Sequence, residues 1–387
     1  MLLEELHVRD FRNLTGDVNF GPGLNILIGD NGQGKTNWLE AVYILATTRS
    51  FKTAKLQEAV RFGEEMAIIR GRVRQSEDII RDMQAALQGN TKTFLINGKR
   101  ESVQQYLGQL HAVVFNSDEL EIVRGQPDSR RRFLDGSIVA IHPPFVQTIT
   151  DYNRVLKQKN SLLQSARDNE FGTDKTAALL APWNEQLVQL ATKIHRSRVR
   201  IVERLNEALE RNLFGTEEIT IRYVSSLEGK GDLADYEGLI AERLALRVQA
   251  ETVAGHALIG THRDDLEILL DGHDIRRFGS AGQQRSALLM LQLANIAIYH
   301  AQRSEYPLFL LDDIDAELDY HRIGQLLEFL HGKTQTLVTT SKENFLEQFG
   351  KAAAVIKVEP APTHNNAPPL LQPAPKQGKA AKSEPRA

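Results

Sequence analysis

The sequence predicts an α/β fold in which a head of strands and helices is interrupted by a mainly helical insertion. Short apolar strands alternate with helices in residues 1–126 and again in 258–358, which predicts a mixed sheet flanked by helices. Residues 127–257 instead carry two long runs with apolar side chains at every third or fourth position. We expect two antiparallel helices of roughly 20–30 residues, about 30–45 Å long, joined near Asp168–Lys175.

The length, composition and charge of the chain limit which classes of protein and which partners are expected. The 387 residues are enough for two domains or one large core with an insertion. The absence of cysteine excludes disulfides, thiolate metal sites and a cysteine nucleophile, and fits a reducing cytoplasm. No apolar run is long enough to span a membrane and no signal pattern opens the chain, so a cytoplasmic location is expected. The net charge of −3 means that nucleic-acid contact requires a local basic patch.

The C-terminal segment, residues 359–387, has a composition unlike the rest. It holds seven of the thirteen prolines, together with many Ala, Lys and Gln residues. Such a segment cannot bury an apolar core, so the sequence predicts a disordered tail.

A glycine-rich loop lies between an apolar strand at 24–28 and a helix. Its eight residues match G-x-x-x-x-G-K-[ST]: Gly29, Asp30, Asn31, Gly32, Gln33, Gly34, Lys35 and Thr36. In such P-loops the backbone N–H groups and the helix N-terminus surround phosphates. We expect Lys35 to reach the β- and γ-phosphates of ATP, Thr36 to join the Mg²⁺ shell, and Asn37 and Arg12 to contribute to nucleotide binding. The alternative is an ordinary glycine-rich turn.

A P-loop needs a carboxylate at the end of a neighbouring strand. The strand at 112–115 is followed by Asn116 and Ser117, so Asp118 comes too late, whereas Leu308–Leu311 runs straight into Asp312 and Asp313. We predict that Asp312 binds Mg²⁺ through water and that Asp313 orients or deprotonates the attacking water. The alternative is a pair of acids that caps a strand end.

About 270 residues separate the phosphate loop from Asp312, whereas simple P-loop kinases and GTPases place the two elements much closer. The sequence Ser280-Ala281-Gly282-Gln283 before an apolar helix is similar to the S-x-G-Q signature of ABC-type ATPases. Because the chain already has one phosphate cradle, we expect the signature residues Ser280, Gly282 and Gln283 to contact ATP on a second subunit. The alternative is a plain capping box. Glu317 and Asp319 follow Asp312 at the spacing of the D-loop of ABC-type ATPases.

Taken together, the chain resembles the RecF family of bacterial recombination mediators along nearly its whole length to about Val358. The matching stretches are Phe11–Asn13, Gly29–Asn37, Leu39–Ala41, Ser50-Phe51, Arg130–Asp135, Tyr152, Arg154–Gln158, Asn160, His262–Asp265, Ser280 and Gly282–Arg285. Three positions depart from the family pattern: Lys52, Thr261 and Ala281.

The resemblance implies several properties. These are ATP-dependent homodimerisation, binding to single-stranded and gapped DNA, weak DNA-stimulated ATP hydrolysis, and cooperation with RecR and RecO in loading RecA during repair, replication restart and SOS induction. Asp313, in place of glutamate, fits slow hydrolysis.

Basic residues are candidates for DNA contact, although exposed charge runs are usually solvated or paired with acids. One group is Arg130, Arg131 and Arg132; the other lies on the two arm helices and comprises Lys157, Lys159, Arg196, Arg198, Arg200 and Arg204. His262, Asp264 and Asp265 suggest a metal site, but the resemblance favours nucleotide or interface contacts there. Trp38 and Phe309 are expected in the core.

Two other functions remain as alternatives. An ABC-type engine of a transporter or another non-DNA complex would share the ATP motifs, and indifference to gapped DNA would favour it. An SMC-like tether would require a far longer arm than the one predicted.

Overall fold

The computed structural model describes residues 1–76, 78–211 and 218–359, so the predicted tail lies outside the described residues from position 360 onward. The first head segment contains, in order, β1 (Leu2–Phe11), β2 (Leu14–Asn19), β3 (Leu24–Ile28), α1 (Lys35–Thr47), β4 (Met66–Arg74), β5 (Ile80–Gln88), β6 (Thr91–Ile96), β7 (Lys99–Glu101), α2 (Val103–Tyr106), β8 (Ala112–Phe115) and α3 (Glu121–Arg124). Short 3₁₀ turns lie at Leu56–Ala59 and Asp118–Leu120.

The middle of the chain is mainly helical, as predicted. It contains α4 (Pro127–Ile141), α5 (Phe145–Asp168), α6 (Thr173–Leu209), β9 (Ile219–Val224), α7 (Tyr236–Leu246) and α8 (Val248–Ala254).

The last segment returns to alternating strands and helices. After a 3₁₀ turn at Thr261–Arg263 it contains β10 (Asp265–Leu270), β11 (His273–Asp274), α9 (Ile275–Phe278), α10 (Ala281–Arg303), β12 (Leu308–Leu311), α11 (Ile314–Glu317), α12 (Tyr320–Leu330), β13 (Thr336–Thr340), α13 (Glu343–Phe349), a 3₁₀ turn at Gly350–Ala352 and β14 (Ala354–Lys357).

Parallel and antiparallel strands are divided between separate sheets. In the described part of the chain, β14, β3, β13, β12 and β8 form one sheet in that order, and each neighbouring pair is parallel. Strands β12 and β13 are buried along their whole length, as expected for parallel strands covered on both faces. The carboxyl ends of β3, β13 and β12 therefore meet at one edge, where the phosphate loop follows β3, Asp312 follows β12, and Thr339 is the next-to-last residue of β13.

The antiparallel strands form the outer wall of the head. Strands β2, β1, β4, β5, β6 and β7 pair in that order among the described residues. The Asn97-Gly98 turn joins β6 to β7 with φ values of 50° and 77°, the left-handed conformation that this dipeptide favours in tight hairpins. Trp38 and Phe309 are buried between the head layers, as predicted.

The arm differs from its prediction in one length. Helix α5 has 24 residues and packs along α6, which has 37 and is therefore about 55 Å long. The predicted range of 20–30 residues is correct for α5 and wrong for α6. Helix α6 begins at Thr173 and continues through Pro182, well before the regular apolar spacing that starts at Leu187.

The third sheet joins the arm to the return segment. Strand β9 pairs with β10, and β10 pairs with β11, all antiparallel. Residues 265–274, which lie beyond the predicted arm boundary, thus share a sheet with an arm strand. None of the helices in the described ranges combines the length and apolar character needed to cross a bilayer.

Candidate nucleotide-binding site

The phosphate loop has the backbone geometry that its glycines permit. Gly32 and Gly34 adopt φ values of 87° and 100°, and a Cβ at Gly34 would lie 2.7 Å from Oδ1 of Asn13. Helix α1 begins directly afterwards at Lys35, so its free N–H groups face the loop. The Lys35 ammonium donates to the carbonyl oxygens of Gly29 (2.8 Å) and Asp30 (2.9 Å), and is thereby held over the loop.

Asp312 lies where the sequence predicts a metal-binding carboxylate. Its Oδ1 accepts hydrogen bonds from the hydroxyls of Thr36 (2.9 Å) and Thr339 (2.7 Å). Burial raises the pKa of the Asp312 carboxyl above its usual value, although these two hydrogen bonds and the nearby Lys52 charge oppose the shift. A hydroxyl and a carboxylate oxygen at this spacing suit Mg²⁺, which binds oxygen ligands and keeps several waters.

Asp313 is positioned differently from its neighbour. It is exposed and adopts the left-handed conformation (φ 51°, ψ 42°), which aspartate tolerates better than most residues. Its backbone N–H donates to the Thr339 hydroxyl at 2.8 Å, which fixes the turn. Partial burial and the nearby Asp315 raise the pKa of Asp313. An exposed carboxylate one residue beyond the metal-binding position can accept a proton from water.

Behind the loop lies a buried polar layer that the sequence analysis did not predict. Glu40 is fully buried and accepts from Arg12 at 3.0 and 2.8 Å and from the Ser50 hydroxyl at 2.6 Å. The Arg12 guanidinium also donates to the Glu58 carbonyl. Arg12 also lines a cavity of about 690 Å³ beside Asn31–Gln33. Its guanidinium is already paired with Glu40 there.

Asn37 connects the loop to two further residues. Its Nδ2 donates to Oδ1 of Asn13 (2.7 Å), and its Oδ1 accepts from the Lys52 ammonium (2.8 Å). Burial lowers the pKa of Lys52, an effect that Glu40 and Asp312 oppose.

The signature residues lie on an exposed turn at the start of the 23-residue helix α10. The Ser280 hydroxyl accepts from the Gln283 N–H, and the Gln283 side chain accepts from the Ser280 N–H at 2.9 Å, so the capping box is present. Gly282 is exposed, and a Cβ there would meet nothing within 4 Å. The cap and a phosphate-binding role are compatible, because the turn remains open to a second molecule.

The predicted D-loop residues are tied to the signature helix. Glu317 accepts a hydrogen bond from Arg285 on α10 at 2.6 Å. Asp319 caps α12 by accepting from the Arg322 N–H at 2.9 Å. A movement of α10 would therefore be transmitted through the Arg285–Glu317 contact to the segment after Asp313.

Two candidate DNA contacts require correction. The Arg130 guanidinium is 2% exposed and bonds both oxygens of Asp265 (2.7 and 3.0 Å). The Arg198 guanidinium is likewise buried against both oxygens of Asp135 (2.8 and 3.0 Å). Because these groups are shielded from solvent and paired with carboxylates, the prediction that they contact DNA is wrong. Lys159, predicted in the arm stripe, is also fully buried.

Other predicted basic residues remain accessible. Arg132 and Lys157 are exposed, and so are Arg196 and Arg200, whereas the Arg131 side chain is mostly buried and donates to the Asp264 carbonyl at 2.7 Å.

The His262–Asp265 stretch holds the arm to the head. Asp264 is fully buried and accepts from the Tyr223 hydroxyl and the Ser226 N–H. His262 Nδ1 lies 2.8 Å from the Tyr152 hydroxyl, and burial lowers the pKa of His262 to about 4. No cluster of three or more metal-ligating side chains occurs within the described residues. The polar interface contacts favoured by the resemblance agree with this arrangement.

Thr339 and Arg285 are the site residues that sequence reasoning missed. The sequence alone does not indicate a role for Thr339, whose hydroxyl donates to Asp312 and accepts from the Asp313 N–H. Neighbouring Thr340 is buried and accepts from the Lys342 N–H at 3.0 Å. Successive residues of a strand point to opposite faces of the sheet, so Thr339 and Thr340 face different neighbours. Which of the two faces the site depends on how β13 pairs in the sheet.

Comparisons with known proteins agree with this geometry. The family described as RecF/RecN/SMC N terminal domain matches residues 2–364. The DNA replication and repair protein RecF of Gloeobacter violaceus is 35% identical over 368 residues, covering 93% of this chain and 97% of that protein. RecF of Halothermothrix orenii is 33% identical over 350 residues, covering 88% and 92%.

Solved structures give the same result. The recombination mediator protein RecF–ATP in the RecFOR pathway superimposes with a TM-score of 0.83 at 30% identity, covering 94% of this chain and 97% of that one. A second structure of RecF with a nucleotide in the same pathway gives 0.81 at 32% identity, covering 89% and 93%. These matches confirm the predicted fold class, and the chain belongs to the RecF family.

Proposed function

We propose that this protein is an ATP-dependent DNA-binding protein of recombinational repair and replication restart, in which ATP acts mainly as a switch. The observation that supports it most strongly is the Thr36–Asp312 contact beside Lys35, at the shared edge of the parallel sheet. A phosphate cradle, a fixed ammonium and a metal-binding pair of oxygens meet there. ATP binding with Mg²⁺ follows from that combination.

Each side chain has a defined role in the proposal. Lys35 exchanges its two carbonyl acceptors for β- and γ-phosphate oxygens, while the loop N–H groups bind the remaining charge. Thr36 and Asp312 would hold Mg²⁺, Asp312 through water, and the bound ion would supply positive charge beside the phosphates. Asp313 orients the attacking water and takes up its proton, giving ADP and phosphate slowly.

The exposed signature turn supports ATP-driven dimerisation. Ser280 and Gly282 are exposed at the N-terminus of α10, far along the chain from its own phosphate loop. In a head-to-tail dimer this turn would contact the γ-phosphate bound by the partner. Two composite sites would then clamp the dimer on single-stranded or gapped DNA. Cooperation with RecO and RecR in loading RecA, and SOS induction, extend this proposal by family relationship.

Sedimentation against ATP concentration tests the switch. Wild type should shift from monomer to dimer with ATP and Mg²⁺. Lys35→Met should stay monomeric because it cannot bind ATP, whereas Ser280→Arg should bind ATP and stay monomeric because the new side chain blocks the signature turn. A wild type that stays monomeric at saturating ATP would contradict the switch.

Binding to gapped duplex DNA separates this function from an ABC-type engine of a non-DNA complex. The proposed function requires tighter binding with ATP than without it, and no affinity for DNA in either state would favour the other engine.

A further inference from the structure

A cleft of about 500 Å³ lies between the head and the arm, on the side of the head next to the nucleotide site. Its head wall carries Arg49, Lys52 and Lys92, and its arm wall carries Arg131 and Arg132. These residues come from three separate segments of the chain, so the sequence alone does not show that they lie together. The fold brings five cationic side chains to one opening.

The carboxylates in the cleft are already engaged. Asp135 is bound by buried Arg198, and Asp128 lies 3.5 Å from Arg131 and 3.3 Å from Arg132. These pairs leave Arg49 and Lys92 on the opposite wall without a carboxylate of their own.

Arg49 and Lys92 are exposed, and within the described ranges neither side chain has an ion-pair or hydrogen-bond partner. Burial and then the neighbouring Arg49 charge lower the pKa of Lys92. Two neighbouring cations that repel each other on one wall of an open cleft are stabilised by a bound polyanion.

The shape of the opening favours a strand over a whole duplex. Its volume is in the range of small-ligand pockets, which are far narrower than a double helix. Two further cavities continue it: one of about 370 Å³ shares Arg49 and Arg132, and one of about 410 Å³ shares Lys92 and adds Lys55. The basic lining therefore continues on the Lys55 side, whereas the cavity of about 370 Å³ also contains Asp118, Glu119 and Glu121.

We propose that this head–arm cleft binds the sugar-phosphate backbone of one DNA strand, with Arg49 and Lys92 as its main phosphate contacts. The inference rests on the proposed function, and it names the DNA site that the proposed function leaves open. Lys52 joins the cleft to the nucleotide site, because its ammonium also donates to Asn37, the residue after Thr36. A strand in the cleft would thus lie one side chain away from the ATP-binding loop.

Binding of a labelled gapped duplex by the full chain with ATP, measured across a salt series, tests the proposal. Arg49→Gln and Lys92→Gln should each weaken binding and reduce the slope of log affinity against log salt by roughly 0.7, the value for one single-strand phosphate contact. Lys99→Gln with Lys351→Gln is the matched control, since both are exposed head lysines outside the cleft. The control should keep the wild-type slope.

The absence of cysteine allows a second, positional measurement. Lys92→Cys and Lys99→Cys each introduce one thiol. A gapped duplex that carries a mixed-disulfide tether on a phosphate in the single-stranded gap should exchange with the first thiol, releasing the small thiol of the tether, far faster than with the second. Equal crosslinking, together with unchanged salt slopes in the two glutamine variants, would contradict DNA binding in the cleft while leaving the proposed function intact. A wild type without DNA affinity would instead overturn both.

Discussion

The Thr36 hydroxyl donates a hydrogen bond to Oδ1 of Asp312 at 2.9 Å, although the two residues are 276 positions apart in the chain. They meet because β3 and β12 lie in one parallel sheet with β13 between them. Thr339, at the end of β13, completes the contact by donating to the same oxygen. The whole arm therefore lies in the chain between the two halves of this site.

The Asp312 carboxylate should contribute to affinity only when Mg²⁺ is present. Asp312→Asn keeps the shape of the side chain but removes its charge, so we expect a 10–100-fold loss of affinity for Mg²⁺-ATP and little change for ATP in EDTA. Equilibrium binding of a fluorescent ATP analogue, with and without Mg²⁺, measures both values. Asp235→Asn, at the exposed cap of α7 in the arm, serves as control; an equal loss in the presence of EDTA would contradict the metal role.

Asp313 should affect hydrolysis and leave binding intact. Asp313→Asn removes the group that accepts the proton from water, so we expect ATP turnover to fall about 10²–10⁴-fold while ATP affinity is kept. Phosphate release in a single turnover measures the chemical step, and sedimentation should show a persistent ATP-bound dimer. Normal turnover in this variant would remove Asp313 from catalysis.

The sequence was sufficient for the parts of the site that depend on local spacing. The phosphate loop, the strand that ends at Asp312 and the cap at Ser280 each lie within a short stretch, and the structure places them on the predicted elements. Contacts across sheets and layers could not be predicted in this way. The Glu40–Arg12 pair and the Thr339 hydrogen bond join residues whose proximity only strand order decides.

The same limit explains the errors in the arm. Arg130 and Arg198 read as exposed basic residues, because their partners Asp265 and Asp135 are 135 and 63 positions away. A helical pattern identifies which face of a helix is apolar, but a buried ion pair on that face looks like a solvated charge in the sequence.

Lys159 and Glu251 form a fully buried ion pair between α5 and α8, with Nζ and Oε2 2.7 Å apart. Glu251→Gln keeps the acceptor for the Leu258 N–H but leaves the Lys159 ammonium uncompensated, so we expect a loss of about 3–5 kcal/mol in the free energy of unfolding. Urea titration followed by circular dichroism measures it. Adding Lys159→Met should recover most of the loss, because both buried charges are then gone.

The exposed Arg124–Glu121 pair is the matched control for this experiment. Glu121→Gln should cost less than about 1 kcal/mol. If Glu251→Gln costs no more than this control, the buried pair does not stabilise the arm.

Glu119, which lines the cavity of about 370 Å³ beside Arg132, should make stability depend on pH near neutrality. Burial raises its pKa to about 7 from an ordinary value of 4.5, with Arg132 opposing and Asp118 adding to the shift. Because the folded chain holds this proton more tightly than the unfolded chain, stability should fall as pH rises from about 4.5 to about 7. Glu119→Gln removes the titration, so urea midpoints of wild type and variant at pH 5 and pH 8 should differ mainly at pH 8, where the variant is more stable. Glu121→Gln, on a neighbouring exposed residue, should keep the wild-type pH dependence; a Glu119→Gln protein with that same dependence would show that another group titrates.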